Sequence, residues 1–171
     1  MREHRYTLDI PHPAPRMWAL FQDYDRWTEY APMVNAVEIL HPGDASGNGL
    51  LRRVLYPMPF GRQGSALELV TDVVSGPDEF AYTYTMISRE PGNDQTGRVR
   101  LEPTGPTSCR LHFEERYHLT KAPWKWFEGR IYSFINKKNE ESMRAAIDYL
   151  STHPQYRADL APPAPAPEPP G

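Results

Sequence analysis

The sequence offers little from which a disulfide or a membrane helix could be built. Its single cysteine, Cys109, cannot form a disulfide within the chain, and no apolar run approaches the roughly 18 residues of a membrane-spanning helix. No basic segment followed by an apolar one, the pattern of a secretory signal, stands at its start. These absences predict a reduced, cytoplasmic protein without stable membrane insertion.

A surplus of positive charge is lacking too, since the formal net charge is −3. That balance, without a prominent basic patch interleaved with aromatic residues, argues against a general nucleic-acid binder or a binder of anionic membranes. The six histidines are scattered without metal-ligand spacing, and no glycine-rich phosphate loop is present. We therefore expect no metal, no cofactor and no nucleic-acid partner.

Proline is abundant, and it is concentrated at the C-terminal end. Residues 161–171 read APPAPAPEPPG, and such a run forms neither helix interior nor paired strand. We therefore expect one domain with a sizeable core over residues 1–155 and a Pro-rich disordered tail over residues 156–171. In one alternative function, this tail acts as an interaction module that docks as a polyproline helix on a partner protein.

The most regular pattern lies between Thr120 and about Leu150. Apolar residues recur there three or four positions apart, with charged residues mostly between them, and His153 with Pro154 follows as a stop signal. This pattern predicts one amphipathic helix of roughly 45 Å. A helix of that length needs a sheet on which to bury its apolar side.

The rest of the chain reads as strands with two short helices near the start. A strand over residues 5–10 is followed by short helical segments around Trp18 and Trp27. Alternating segments separated by Gly, Pro, Asn and Asp clusters then follow at residues 34–40, 50–56, 63–74, 79–87, 95–101 and 108–119. This order predicts an α+β domain, in which a curved antiparallel sheet of about seven strands wraps around the C-terminal helix and leaves a cavity between them.

Residues 13–34 read PAPRMWALFQDYDRWTEYAPMV. This stretch resembles the opening of the START-like superfamily, also called SRPBCC, Bet v 1-like or helix-grip, and in particular its polyketide cyclase/dehydrase and lipid-transport branch. The matching positions are Met17, Trp18, Asp23, Tyr24, Trp27 and Pro32. The order of elements from Arg5 to about Leu150 is similar as well, so the resemblance covers everything but the tail.

The resemblance implies a helix-grip fold with a mostly apolar pocket between the sheet and the C-terminal helix. Many aromatase/cyclase members carry an arginine on a central strand that holds or polarises the substrate carbonyl. Its place in this chain falls near Asp72 or Val73, so the arginine is expected to be absent. Superfamily members range from lipid carriers to cyclases, and fold alone does not choose among them.

Two functions therefore use the same predicted cavity. In the leading interpretation the protein binds a hydrophobic small molecule, which is polyketide, aromatic or lipid-like. In the alternative it is an enzyme of the polyketide cyclase, aromatase or dehydratase type, which folds a flexible substrate into a reactive conformation. The identity of the ligand and the oligomeric state stay open.

The carboxylate expected to do chemistry is Glu115. It alternates with Cys109, Leu111, Phe113, Tyr117 and Leu119, which form the apolar face of the last strand. Burial on that face would raise the pKa of Glu115 and suit it to act as a general acid or base. Two other outcomes stay open: Glu115 is solvent-exposed at the rim of the sheet, or it forms an ion pair with an inward arginine.

The other catalytic candidates are Tyr82 and Arg53. Tyr82 and Tyr84 share one face of their strand, where their hydroxyls either meet a ligand or find backbone partners. Alternation does not decide whether Arg52 or Arg53 faces inward; an inward Arg53 could pair with Glu115 or replace the missing arginine. The candidates for ligand binding are Tyr84, Tyr117, Phe113, Phe60, Trp124, Phe127 and Ile131.

Overall fold

The structure, a computed structural model, describes residues 1–58, 61–88, 93–122 and 124–160, without the side chains of Asn93 and Trp124. Three of the predictions fall wholly or mostly outside this part of the chain: the roles of Phe60 and of the Trp124 side chain, and the disordered tail over residues 156–171, of which the structure describes only residues 156–160. They stay predictions.

Seven strands form one antiparallel sheet in the order β1-β7-β6-β5-β4-β3-β2. The first and last strands are neighbours in this order, and the strands between them follow as successive hairpins. Their bounds are β1 Arg2–Ile10, β2 Ala36–Pro42, β3 Leu50–Met58, β4 Arg62–Ser75, β5 Phe80–Met86, β6 Asn93–Gly105 and β7 Ser108–Leu119. The predicted α+β architecture, with a curved sheet of seven strands and a long C-terminal helix, is confirmed.

The two predicted short helices are α1, Ala14–Gln22, and α2, Trp27–Tyr30, joined by a 3-10 turn at Tyr24–Arg26. Pro15 lies in the first turn of α1, where a missing N–H costs nothing. No helix among the described residues is long and apolar enough to cross a membrane.

The C-terminal helix α3 covers Glu128–Thr152, and it starts later than the expected Thr120. A 3-10 turn at Trp124–Phe127 precedes it. The proline at position 123 disfavours helical backbone at Ala122, which argues against a helix start at Thr120. The predicted stop is confirmed, since the backbone of His153 caps the helix by donating to the Tyr149 carbonyl.

The main core lies between α1, the sheet and the C-terminal half of α3. Met17 and Leu20 of α1 meet Leu101 and Leu111 of the sheet and Leu150 of α3, and all of them are fully buried. Alternation along β7 follows the predicted pattern, with each of the six residues of the apolar face buried. Cys109 is one of these, and burial raises the pKa of its thiol to about 12, so it is a core residue and not a reactive one.

A buried arginine closes the C-terminal end of α3. The Arg16 guanidinium donates to the carbonyls of Leu150, His153, Pro154 and Tyr156 at 2.8–3.2 Å. The last carbonyls of a helix have no partner within the helix, and a cation there also offsets the helix dipole. Arg16 therefore fixes α3 to α1.

Candidate functional site

Glu115 lies on the inner face of β7 and is 1% exposed. Its Oε1 accepts hydrogen bonds from the Tyr84 hydroxyl of β5 and from the Gln95 side chain of β6. His4 of β1 is its direct neighbour on the other side. Residues of β1, β5 and β6 thus surround one carboxyl group of β7.

A glycine makes the bond between Tyr84 and Glu115 possible. In the sheet register Gly97 of β6 pairs with Tyr84 on one side and with Glu115 on the other. A Cβ atom at position 97 would lie 2.3 Å from the Tyr84 ring, which is closer than atoms can approach. The ring therefore crosses the middle strand over Gly97, which is a recognised use of glycine inside a strand.

The pKa values of both members of this pair are shifted upward. Burial raises the pKa of Glu115, although the hydrogen bonds from Tyr84 and Gln95 act in the opposite direction. Burial, followed by the negative charge of Glu115, raises the pKa of Tyr84 well above its ordinary value. Tyr84 therefore stays a neutral phenol that donates, and Glu115 keeps its proton to a higher pH than an ordinary glutamate does.

The inward arginine is Arg52, a choice that the sequence left open, and the catalytic candidate Arg53 faces outward. Arg52 is 2% exposed, whereas the Arg53 side chain is 41% exposed and pairs with Glu38 of β2 on the outer face. The strand gave no decisive pattern because apolar residues flank both arginines. Glu68 of β4, the cross-strand partner of Arg52, is the counter-ion that makes its burial tolerable.

Arg52 is held by one carboxylate and three aromatic rings. Its Nε and Nη2 atoms both lie 2.8 Å from Glu68 Oε2. Its guanidinium carbon lies 4.6–5.6 Å from the ring centroids of Trp27, Tyr24 and Tyr82, which is the range of cation–π contacts. Burial alone lowers the pKa of Arg52, but Glu68 and the tyrosines outweigh it and raise that pKa, so Arg52 is charged.

Three buried polar atoms on this side of the sheet have no hydrogen-bond partner among the described residues. They are Arg52 Nη1, Glu115 Oε2 and His4 Nδ1. Tyr82 and Tyr84 connect the first two groups, since their ring centroids are 6.3 Å apart, Tyr82 lies over Arg52, and Tyr84 binds Glu115. We call Arg52, Tyr82, Tyr84 and Glu115 the polar line. It offers a donor at one end and a carboxyl oxygen at the other.

The remaining predicted site residues lie outside the polar line. Phe113 is buried and stacks on Tyr6 at 5.0 Å between ring centroids. Tyr117 stacks on Tyr132 of α3 at 3.5 Å and donates to Asn136, so its hydroxyl is already occupied. Ile131 packs beside this pair, whereas Phe127 is 51% exposed. The structure thus brings together Glu115, Tyr82 and Tyr84, with Arg52 in place of Arg53.

Sequence reasoning missed the partners that complete the polar line. Glu68, Gln95 and His4 are single polar residues in strands, with nothing in their own segments to mark them. Gly97 did carry a signal, because a glycine inside an alternating strand often marks a close approach. Tyr24 and Trp27 were noted for resemblance, and their contact with Arg52 required the fold.

Other arrangements that could mark a site are weaker. Within the described ranges, no group of three His, Cys, Asp or Glu side chains is placed to hold a metal ion. Two open surface grooves lie elsewhere, one of about 310 Å³ beside Tyr30 and Tyr149, the other of about 410 Å³ beside Ile10 and Cys109. Neither groove is lined by a member of the polar line.

Comparison with solved structures identifies the same fold in proteins of low sequence identity. The Zhui aromatase/cyclase from Streptomyces sp. R1128 is 14% identical with a TM-score of 0.72, covering 94% of this chain and 99% of its own. A protein from Thermus thermophilus is 16% identical with a TM-score of 0.71, covering 89% and 99%. Norcoclaurine synthase from Thalictrum flavum, solved with dopamine and hydroxybenzaldehyde, is 19% identical with a TM-score of 0.63, covering 89% and 87%.

At these identities the structural likeness establishes the fold and no more. No match was found among curated protein sequences. The family model described as "Polyketide cyclase / dehydrase and lipid transport" matches residues 1–153, which is nearly the whole described chain. The predicted membership is therefore confirmed, and the chain belongs to the polyketide cyclase/dehydrase and lipid transport family.

Proposed function

We propose that the protein binds a hydrophobic small molecule, polyketide, aromatic or lipid-like, against the inner face of its sheet, and that the polar line holds an oxygen of that molecule. The observation that carries this proposal is the pair of buried, unpartnered atoms Arg52 Nη1 and Glu115 Oε2. A buried polar group without a partner costs about 1–3 kcal/mol, and more when it is charged. Oxygen atoms of a ligand, one at each of these two atoms, would remove that cost.

The chemistry of the two atoms defines the ligand oxygen. Arg52 Nη1 can only donate, so it suits a carbonyl, enolate or phenolate oxygen. Glu115 Oε2 can donate when the carboxyl group is protonated and accept when it is not, so it suits a hydroxyl or a second carbonyl. Between them lie the rings of Tyr82 and Tyr84, which are buried among apolar residues of the core.

The known relatives are consistent with such a ligand. One structural neighbour is an aromatase/cyclase, and another was solved with dopamine and hydroxybenzaldehyde, which are aromatic molecules with oxygen substituents. The family description combines polyketide chemistry with lipid transport. These likenesses support the ligand class, and the polar line supplies the reason for an oxygen.

A second function uses the same residues as a catalyst of the cyclase or dehydratase type. Burial raises the pKa of Glu115, and such a carboxyl group can give a proton to a leaving hydroxyl or take one from a carbon beside a carbonyl. Arg52 would stabilise the negative charge that develops on the carbonyl oxygen. Tyr84, which donates to Oε1, would hold the carboxyl so that Oε2 is free for the substrate.

The first experiment is native mass spectrometry of the protein purified from its own cells, followed by extraction and identification of the bound compound. A stoichiometric hydrophobic compound with a carbonyl or phenol group supports the proposal. Protein without a bound compound, and without a thermal shift in a panel of polyketide-like, aromatic and lipid compounds, would contradict it.

Two pairs of variants then test the polar line. Arg52→Lys keeps the charge but loses the planar fork, and we expect ligand affinity to fall about tenfold. The control Arg53→Lys changes a surface residue of the same strand and should leave affinity within about twofold. Equal affinities for the two variants would remove Arg52 from the site.

Glu115→Gln keeps the shape of the side chain and removes the titratable proton. If the protein is an enzyme, turnover should fall at least about a hundredfold with a small change in affinity. If it is a carrier, no turnover exists to lose, and the variant still binds ligand. The control is Glu114→Gln on the outer face of β7, whose side chain is 52% exposed.

A further inference from the structure

The 3-10 turn before α3 and the first turns of α3 expose three large apolar side chains. Trp126 is 79% exposed, Phe127 is 51% exposed and Phe134 is 53% exposed. Arg130 and Lys137, which lie among them in sequence, are exposed as well. We call these five residues the aromatic–basic strip: Trp126, Phe127, Arg130, Phe134 and Lys137.

The strip occupies the outward side of α3. Arg130, Phe134 and Lys137 are spaced four and three apart and therefore share one face of α3, and Phe127 directly precedes the helix. The opposite face meets the sheet, where Tyr132 stacks on Tyr117, and Asn139 accepts from Tyr6 at 2.7 Å. The strip is thus not part of the packed side of the helix.

Local charge differs from the charge of the whole chain. Residues 121–137 contain four basic side chains and one acidic side chain, in a chain whose net charge is −3. That acidic residue, Glu128, is already paired with Arg2 and His118, while Lys137 lies 4.0 Å from Glu141, a residue just beyond this range. The sequence argument against binding to anionic membranes rested on the net charge of the whole chain. A net charge does not report a local excess of basic residues.

We propose that the aromatic–basic strip docks the protein reversibly on an anionic phospholipid surface. Trp and Phe side chains at a helix start favour the membrane–water interface, and adjacent lysine and arginine side chains are attracted to anionic headgroups. Each basic residue near such a surface strengthens binding about fivefold. A second copy of the chain fits the strip poorly, because two positive surfaces would face each other.

The position of the strip suits it to ligand exchange with a membrane. This step of the argument rests on the proposed function. α3 follows the C-terminal end of β7 in the chain. Because β3, β5 and β7 run in the same direction, their C-terminal ends lie at the same end of the sheet. Exposed Met58 and Ile87 lie at the ends of β3 and β5 there. A hydrophobic ligand concentrates in lipid, and a docked protein would exchange it without releasing it to water.

The test is flotation of the full-length protein with two kinds of vesicle: pure phosphatidylcholine, and equal parts of phosphatidylcholine and phosphatidylglycerol. We expect binding to the anionic vesicles, weakening with rising salt. The double variant Arg130→Gln with Lys137→Gln should weaken it about 25-fold. The control, Arg110→Gln with Arg116→Gln, removes the same charge from the outer face of β7 and should keep most of the binding.

The aromatic side chains have their own matched pair of variants. Trp126→Ser with Phe134→Ser should lose at least about tenfold in vesicle affinity. Ile39→Ser with Leu40→Ser, which changes two exposed apolar residues of β2, should retain it. Circular dichroism of each variant establishes that it is folded.

Several outcomes would overturn the proposal. These are equal binding to both vesicle types, no binding to either, equal losses in the strip and control variants, or equally tight binding to a single-stranded oligonucleotide. A concentration-dependent dimer that the strip variants abolish would assign the strip to a second copy instead. Ligand binding in solution by the Arg130/Lys137 variant is measured separately, so failure of docking is distinguishable from failure of the proposed function.

Discussion

The two halves of α3 are attached to the domain in different ways. In the C-terminal half, Ala146 and Leu150 are fully buried in the main core, and Arg16 binds the last carbonyls. In the N-terminal half, a smaller apolar cluster of Tyr132 with Tyr117 and Leu119 is supplemented by polar contacts with the sheet. Asn136 binds Tyr117, Asn139 binds Tyr6, and Glu140 binds His4 at 3.1 Å.

Because of this difference, we expect the two halves of α3 to open with different free energies. Apolar burial is contiguous and cooperative, so the C-terminal half should open only when the whole domain unfolds. Individual polar contacts in the other half contribute about 1 kcal/mol each and can be broken one at a time. We therefore expect the half beside the aromatic–basic strip to open more readily than the C-terminal half.

The largest expected effect is on the buried half. Leu150→Ala removes a fully buried side chain and should lower the free energy of unfolding by about 3–4 kcal/mol. Its counterpart in the other half, Phe134→Ala, removes a side chain that is 53% exposed and should change stability by less than about 0.5 kcal/mol. Urea unfolding measures both. Similar losses for the two variants would show that Phe134 is packed as tightly as Leu150.

Arg16→Gln should be the next most damaging change. It leaves carbonyls of the helix end without their donor, at a cost of about 2–3 kcal/mol in the free energy of unfolding. Arg144→Gln, at an exposed position of the same helix, serves as the control and should be nearly neutral. If both variants unfold at the same urea concentration, Arg16 does not anchor the helix.

Tyr117→Phe tests the attached face of the N-terminal half. The variant keeps the stack on Tyr132 and loses the hydrogen bond to Asn136, so global stability should fall by about 1 kcal/mol. Amide hydrogen exchange should accelerate around Asn136 and remain unchanged around Leu150. Uniform acceleration along α3 would mean that the two halves open as one unit.

The smallest effect is on the pH dependence of stability, and two carboxyl groups should act in opposite directions. The Leu119 N–H and then His118 lower the pKa of Glu128, so its stabilisation is present above the ordinary glutamate pKa of about 4.3 and is lost as pH falls. Burial raises the pKa of Glu115. The stability that depends on its proton is therefore fully present below the ordinary glutamate pKa of about 4.3, and it is lost as the pH rises through the folded pKa of Glu115.

Urea midpoints over a series of pH values separate the two carboxyl groups. In a plot of urea midpoint against pH, Glu128→Gln should reduce the loss of stability at acid pH. Glu115→Gln should reduce the loss of stability as the pH rises above the ordinary glutamate pKa. An unchanged profile in Glu115→Gln would show that its carboxyl group titrates normally, which would also weaken the catalytic alternative.

The inner position of Glu115 was predictable because the evidence lay within its own strand. Every alternate residue from Cys109 to Leu119 except Glu115 is apolar or aromatic, so one register fits burial and the other does not. The same reasoning failed at Arg52 and Arg53. Their strand has apolar residues on both faces, so a shift of one residue looks equally good in sequence.

Local pattern was therefore enough for the order of strands and helices, the C-terminal stop of α3 and the inward face of β7. Tertiary structure decided the rest, because the deciding contacts join residues far apart in the chain. Tyr84 reaches Glu115 over Gly97, and Arg52 is selected over Arg53 by Glu68 and the rings of Tyr24 and Trp27. A side chain finds its charge partner through strand pairing, and alternation along one strand carries no information about the strand beside it.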